Sequence, residues 1–291
     1  MNRPTPEQWR KIFQDSETGP PSEGRFLPLA SRKGLTSAEH FARYLFASGF
    51  CEGKRVLDVA CGSGYGAYML KILGAAEVVG VDANADAIET ARRVYETPGL
   101  EFRAADATAL DPSPRPFDVV VSFETIEHVA DAEAFLESVR RQLAPGGLFL
   151  ISCPHDARSP WVSPFHVRHF TYPEFRDLVA RYFPDPVAVS QIHAIASLIL
   201  PPEAGAADGL APQSLPQAWL DLAKPIEDAD GFLLLCGNAP GRIEPAAVLT
   251  KNLTEWAQEI YAAVSYIRDR VPQLESELDE ARARITRQAR S

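Results

Sequence analysis

Val56-Leu57-Asp58-Val59-Ala60-Cys61-Gly62-Ser63-Gly64-Tyr65-Gly66-Ala67 decides how the rest of this 291-residue chain is read. Apolar and small residues on both sides of Asp58 describe a short buried strand. Gly62, Gly64 and Gly66 follow as a tight turn, and Ala67-Tyr68-Met69-Leu70 opens a helical pattern. A strand, a glycine turn and a helix N-terminus make the opening of a nucleotide-binding α/β unit. Glycine is needed there because the backbone turns sharply and a ligand must approach without a Cβ in the way. The turn alone does not choose the cofactor. Gly62, Gly64 and Ala67 also satisfy the G-x-G-x-x-G/A dinucleotide pattern.

Three further features narrow the choice. Asp58 stands inside the strand, which a dehydrogenase turn does not require. Val78-Val79-Gly80-Val81-Asp82 is a second strand ending in an acid, and Phe102-Arg103-Ala104-Ala105-Asp106-Ala107 a third. Phe117-Asp118-Val119-Val120-Val121-Ser122-Phe123-Glu124-Thr125-Ile126-Glu127-His128 and Pro145-Gly146-Gly147 complete the set. This set resembles the class I S-adenosylmethionine (SAM) dependent methyltransferases over residues 36–238. The resemblance implies an α/β fold: a Rossmann-like, doubly wound, seven-stranded sheet with a terminal antiparallel hairpin. It implies SAM as methyl donor, with Asp82 on the ribose hydroxyls and Asp106 on the adenine amino group. Asp58, Ala60, Gly62, Gly64, Ala83, Ala107, Phe123 and Glu124 are the further donor-binding candidates, joined by Arg43 and Tyr44 from a helix lying over the donor.

Composition agrees. A hydrophobic content of 46% fills a sizeable core, and a net charge of -10 argues against a nucleic-acid partner, which usually calls for a basic face. The fourth strand ends in Ser122-Phe123-Glu124-Thr125, without the Asn/Asp-Pro-Pro-aromatic clamp for a flipped base. Cys51, Cys61, Cys153 and Cys236 are scattered with no C-x-x-C pair, so a disulfide framework is not expected and a reducing cytoplasm is the simpler location. No apolar run is long enough to span a bilayer, and the polar N-terminus does not read as a signal peptide.

Residues 1–35 form an N-terminal segment. Arg25-Phe26-Leu27-Pro28 followed by Glu39-His40-Phe41-Ala42-Arg43-Tyr44 resembles a methyltransferase subgroup often encoded with bacterial surface-polysaccharide and sugar-modifying enzymes. Ser37 is placed to cap the helix carrying Arg43 and Tyr44. After the third strand come Pro-rich residues 111–116, then a continuous apolar fourth strand at 117–122, suited to a sheet covered on both faces. A helix is expected over Glu133–Leu143 and a strand over Leu148–Ser152. Thr171 is placed to cap a helix at Glu174–Tyr182, and residues 187–192 and 232–236 read as the closing hairpin. An insertion at about 194–230 separates these two strands, too long for a hairpin loop, and reads as a lid over the acceptor.

Ligands of open parallel sheets bind outside the carboxyl ends of the strands. A hydroxyl acceptor needs a general base, for which histidine is the natural residue. His128, directly after the fourth strand, is the first candidate. Phe165-His166-Val167-Arg168-His169-Phe170-Thr171 resembles a segment lying over the acceptor pocket in methyltransferases of small hydroxylated substrates, which makes His166 and His169 further candidates, with His155, after the fifth strand, the last of four histidines at this edge. A metal on His155, His166 and His169 with Glu124 or Glu127 is not the expected reading, because the histidine spacing is irregular and no His-Glu-x-x-His signature is present, but the existence of metal-dependent sugar methyltransferases keeps it as an alternative.

The expected reaction is therefore O-methylation of a small-molecule or glycan hydroxyl. A quinol, a polyketide ring or an amine fits the core motifs equally well. Two readings outside this class are a nicotinamide-dependent oxidoreductase, which leaves Asp106 and residues 117–128 without a task, and a non-catalytic SAM-binding subunit. Residues 239–291 carry apolar positions from Leu249 to Ile285 in steps of four and three, interrupted at Pro272. This reads as a helical, coiled-coil-like extension for a homo-oligomer or a partner protein. The closing Arg-Gln-Ala-Arg-Ser looks like an abrupt stop and leads us to expect that the natural chain continues.

Overall fold

The computed structural model describes residues 35–155, 165–192 and 229–237, with the isolated positions 4, 5, 7, 8, 11, 226 and 243. Helix α1 (Leu35–Ser48) precedes β1 (Arg55–Val59), α2 (Tyr65–Ile72), β2 (Glu77–Asp82), α3 (Ala85–Val94), β3 (Leu100–Ala104) and β4 (Phe117–Ser122). A single 3-10 turn (Ile126–His128) leads to α4 (Ala132–Arg140), β5 (Leu143–Pro154), α5 (Tyr172–Ala180), β6 (Val187–Gln191) and β7 (Gly231–Gly237). The seven strands lie in the order β3-β2-β1-β4-β5-β7-β6. The first five are parallel, and β7 runs antiparallel between β5 and β6. This is the doubly wound sheet with a terminal antiparallel hairpin that the sequence leads one to expect.

The strands are apolar on both faces because both faces are covered, and side-chain alternation distributes them between two core layers. Val56, Val78, Val119 and Val121 join Phe41, Tyr44, Tyr65 and Leu70 of α1 and α2 in one layer. Leu57, Val79 and Val120 join Phe135, Leu136, Phe175 and Val179 of α4 and α5 in the other. Three helix starts are set by side-chain caps. Asn84 Oδ1 accepts from Ala87 N at 2.8 Å, and Asp131 Oδ1 from Ala134 N at 2.9 Å. Thr171 and Glu174 form a reciprocal capping box at the start of α5, with Thr171 the cap as expected.

Several boundaries differ from the sequence reading: α5 spans Tyr172–Ala180 rather than Glu174–Tyr182, and β5 Leu143–Pro154 rather than Leu148–Ser152. The third strand closes at Ala104, so Asp106 lies beyond its end rather than in it. The helix expected to reach Leu143 stops at Arg140, and Leu143 already pairs with Phe117 in the sheet. Pro145 lacks the N–H that a continuing helix needs and disfavours helical backbone at Ala144. The Pro145-Gly146-Gly147 turn then becomes a bulge inside β5. The ladder slips between Phe117↔Leu143 and Val119↔Leu148, with Gly146 at φ 75°.

The Arg25–Pro28 motif, the Ser37 side chain, nearly all of the 194–230 insertion and the 239–291 extension lie outside the described residues. Among the described residues, no helix is long and apolar enough to cross a membrane.

Candidate active site

In this sheet the order of strand addition reverses between β1 and β4, and the crevice at their carboxyl ends is where an open α/β sheet holds its ligand. Asp82 ends β2 at that edge. Its Oδ2 accepts from the Gly62 backbone N–H at 2.9 Å and its Oδ1 from the Asn84 N–H at 2.9 Å. One carboxylate thus fixes the glycine turn against the end of the second strand. Gly64, at φ 86°, leaves no room for a side chain: a Cβ there would lie 2.7 Å from Ala91 Cβ and 2.8 Å from the Phe102 ring. At Gly62 a Cβ would meet nothing within 4 Å, so that side of the turn faces open space. Ala83 is exposed next to Asp82, and Ala107 is half-buried against the second core layer. Asp106 is exposed, and its Oδ1 accepts from the Thr108 N–H and hydroxyl, both at 2.8 Å. Those bonds hold its carboxyl below the ordinary aspartate range.

The other sequence candidates divide between the interior and the edge. Asp58 is wholly enclosed, and the Tyr44 hydroxyl lies 3.2 Å from each of its carboxylate oxygens. Phe123 packs edge-on to Tyr44 with ring centroids 5.1 Å apart. Asp58, Tyr44 and Phe123 therefore brace α1 on the sheet beneath the glycine turn. Ala60, just past β1, has φ 63°, and Glu124, just past β4, has φ 52°. These left-handed conformations cost a non-glycine residue about 1–2 kcal/mol each, and the surrounding bonds must hold them. Around Glu124 they do. Its N–H donates to Ser152 Oγ at 3.1 Å, its Oε1 accepts from that hydroxyl at 2.7 Å, and its Oε2 faces Arg43 Nη2 at 3.4 Å.

Arg43 is only 4% exposed. Its Nε donates to Gln191 Oε1 at 3.2 Å, and Gln191 Nε2 in turn donates to the Glu39 carbonyl at 3.1 Å. Arg43 Nη1 has no hydrogen-bond partner among the described residues. One turn earlier, His40 Nδ1 and the Tyr65 hydroxyl share a hydrogen bond of 2.8 Å. Burial, and then the Arg43 charge, hold the His40 imidazole well below its ordinary value, so it is neutral. Ser152, Gln191 and Ser63 were not singled out by the sequence. Ser63 Oγ is buried in the glycine turn with no hydrogen-bond partner among the described residues.

Burial pushes the Asp58 carboxyl up to about 7, and the Asp82 charge adds to the rise, against the Tyr44 and Ala67 hydrogen bonds that favour the ionised form. Folding therefore favours the protonated acid. Stability from this group falls as pH rises from the ordinary aspartate value of 3.8 towards 7, at up to about 1.4 kcal/mol per pH unit, and is level above that. Asp58→Asn removes the titration. Between pH 5 and pH 8 its stability should improve relative to the parent by about 2–3 kcal/mol, whatever constant offset the amide introduces. Urea unfolding of both chains at the two pH values measures this, and a difference that does not change with pH would refute it.

At the other end of the cleft the 3-10 turn brings Glu127 and His128 out of β4. The Glu127 carbonyl accepts from the N–H groups of Val167 at 2.9 Å and Arg168 at 3.2 Å, which docks residues 165–169 onto this turn. His128 Nδ1 donates to the Phe165 carbonyl at 3.0 Å. The His128 and His166 rings meet edge-on at 4.8 Å, and His166 and His169 lie 6.1 Å apart. Three of the four histidines expected at this edge are thus gathered in one place, with the Glu127 carboxylate, 1% exposed, behind them. His155 is elsewhere: it is buried on the Phe232 ring, with Nδ1 donating to the Ala229 carbonyl at 3.1 Å.

Comparison with known proteins places the same region. A family model described as "Methyltransferase domain" matches residues 51–171. The ubiquinone biosynthesis O-methyltransferase of Chelativorans sp. is 40% identical over 117 residues, which are 40% of this chain and 46% of that protein. The fatty-acid O-methyltransferase of Mycolicibacterium smegmatis is 42% identical over 108 residues, 37% of this chain and 38% of its own length. The chain thus spans about half the length, or less, of these curated relatives. Among solved structures, a chain from the complex of the Haloferax volcanii Trm112 methyltransferase activator with a methyltransferase superposes at a TM-score of 0.50 and 22% identity. That match covers 69% of this chain and 91% of the other, and it shows a shared fold.

The residues at the cleft fit SAM. Asp82 offers acceptors for a vicinal diol, Gly62 admits a ligand where a side chain would intrude, and the Arg43 Nη1 and Ser63 hydroxyl lack partners among the described residues. A donor carrying a ribose, a carboxylate and an amine meets each of them with a complementary group.

Proposed function

The chain carries a class I, SAM-dependent methyltransferase domain, and on that premise we propose that it transfers a methyl group to a hydroxyl oxygen of a small-molecule acceptor. The observation that carries this reading is the gathering of His128, His166 and His169 in front of Glu127 at the same sheet edge as Asp82. A hydroxyl must lose its proton to become a nucleophile, and an acceptor end lined with imidazoles and a carboxylate suits that demand.

SAM, when bound, supplies a methyl group already activated on a sulfonium, so the protein's work is alignment and proton removal. Asp82 holds the ribose, Asp106 the adenine edge, and the Gly62–Gly64 turn leaves room for the chain to the sulfur. Arg43, held on α1 by Gln191 and Glu124, offers Nη1 to the donor's carboxylate. His128 Nδ1–H is spent on the Phe165 carbonyl, which leaves its Nε2 lone pair for the acceptor side.

A sugar or glycan hydroxyl is the first acceptor class, on the resemblance of residues 25–44 and 165–171 to methyltransferases of such substrates. A phenolic or quinol hydroxyl is the second, favoured by the relatives named as ubiquinone biosynthesis O-methyltransferases. Label transfer from methyl-labelled SAM into fractionated small-molecule extracts separates the two. Label in nucleotide-sugar or oligosaccharide fractions supports the first, and label in hydrophobic aromatic fractions the second. SAM binding with no label moved into either would overturn the reading and favour a non-catalytic SAM-binding subunit, with the extension at 239–291 as its contact to a homologous copy or a partner.

A further inference from the structure

We propose that Glu127, His128 and His166 bind one divalent transition-metal ion at the acceptor end of the cleft. One ligand atom from each residue lies within 4.8 Å of the other two. The sequence offers no metal signature because the first two ligands are adjacent and the third comes from a separate loop. It is the docking of residues 165–169 that assembles the set.

Three observations carry the assignment. The first is the tautomer of His128. The Phe165 carbonyl can only accept, so Nδ1 carries the hydrogen and Nε2 the lone pair. A metal-bound imidazole almost always donates its other N–H to a carbonyl or carboxylate, which orients the ring, and here that supporting bond is already made. The second is the relation of His128 to Glu127. His128 Nε2 stands 3.9 Å from Glu127 Oε1, too far for a hydrogen bond. Two ligands of one ion stand about 3–3.5 Å apart at metal–ligand distances of about 2.1 Å, so a small closure brings them into place. The third is how the ligands are held. The Val167 and Arg168 N–H groups grip the Glu127 carbonyl, so the backbone on either side of His166 is fixed to the turn that carries the other two ligands.

Burial sets the direction in which such a site opens. Glu127 is 1% exposed and His128 38%, so the carboxylate lies at the back and the His128 imidazole towards solvent. Three ligands on one side leave positions open for a substrate oxygen, as in catalytic sites of this type. Two imidazoles and one carboxylate suit manganese, iron, cobalt or zinc better than calcium or magnesium.

The site stands on this geometry, and its use in catalysis rests on the methyl-transfer reading above. An acceptor hydroxyl on the ion is acidified. Its O–H bond breaks with the proton passing to water, and the oxygen lone pair forms the new O–C bond. The C–S bond of the donor breaks with its electron pair going to sulfur. The ion is neither oxidised nor reduced.

The test uses the full chain, freed of metal with chelator, titrated with Zn²⁺ by calorimetry and with Co²⁺ by visible absorption. One ion per chain is expected. His128→Ala and His166→Ala should each weaken binding about tenfold or more, with SAM affinity unchanged in both. Glu127→Gln should do the same. Because Glu127 is buried, the two histidine variants carry the result if that one does not fold. Absence of one-to-one binding overturns the site, and so does binding unaffected by the double His128→Ala/His166→Ala variant. If methyl transfer proceeds undiminished in chelator with no ion bound, the inference falls and His128 is left as the base. If the ion binds as described but no methyl moves with or without it, the site stands and the methyl-transfer reading falls.

Discussion

Asp82→Ala is expected to weaken SAM binding by at least about a hundredfold while leaving the chain folded. On the proposed reading its carboxylate takes both ribose hydroxyls, and hydrogen bonds to a charged group contribute about 1.5–3 kcal/mol each. Two of them amount to about 3–6 kcal/mol, or a factor of roughly a hundred to ten thousand in affinity. The substitution also frees the N–H groups of Gly62 and Asn84, which now share that carboxylate. These lie in the turn at the sheet edge, where water can replace the lost acceptor, so the cost falls on the site more than on the fold. Asp106→Ala makes the comparison. Asp106 is exposed and would touch only the adenine edge, so roughly tenfold is expected there. Calorimetric titration of both variants with SAM decides the matter. An unchanged affinity for Asp82→Ala would show that the second strand ends in a structural acid and that the ribose lies elsewhere.

The place of Asp82 at the end of β2 was legible in the sequence because it depends only on local pattern, an apolar run closed by an acid after a glycine turn. The same holds for the strands, read as apolar runs alternating with helical patterns, whereas their assembly into one doubly wound sheet was what the resemblance implied. The acceptor end was legible in part. His128 follows directly from β4, but its meeting with His166 depends on backbone bonds from Val167 and Arg168 to Glu127, which no short motif announces. Glu127 follows the fourth strand and was expected to face the methyl donor, but nothing in the sequence announced its burial. Only the closed turn, with the Val129 N–H donating to the Ile126 carbonyl at 3.3 Å, places it inward at 1% exposure. Gln191 lies 148 positions from Arg43 and meets it because β6 closes the sheet edge, a contact that exists only once the hairpin has formed. Asp58 marks a different limit. Its position in the glycine motif suggests a ligand contact, yet Tyr44 from α1 covers it. A strand pattern says which residues are apolar but not which element will lie across them.

That covering makes Gly66→Ala the second large effect, although Gly66 lies inside α2, where alanine is ordinarily the better residue. Replacing a helical glycine with alanine gains about 1 kcal/mol from backbone entropy. Here the added Cβ would sit 1.9 Å from Tyr44 Cζ and within 2.4 Å of two further ring atoms. No rotamer of alanine avoids that contact, so the ring must leave. Tyr44 then loses its bond to Asp58 and its edge contacts with Tyr65 at 5.5 Å and Phe123 at 5.1 Å. Losing the whole packing of a buried aromatic costs about 3–5 kcal/mol, which bounds the effect from above. After the helix gain, a net loss of about 2–4 kcal/mol remains, equivalent to a fall in melting temperature of roughly 10 °C for a domain of this size. SAM affinity should fall with it, because Arg43 rides on the same helix and keeps its place only while α1 stays docked. Tyr44→Ala in the same chain tests the cause. The double variant should be markedly less destabilised than the two single losses added together, since the second change removes the ring with which the first collides. Simple additivity would mean that the alanine is accommodated elsewhere and that Tyr44 does not hold α1 over the donor site.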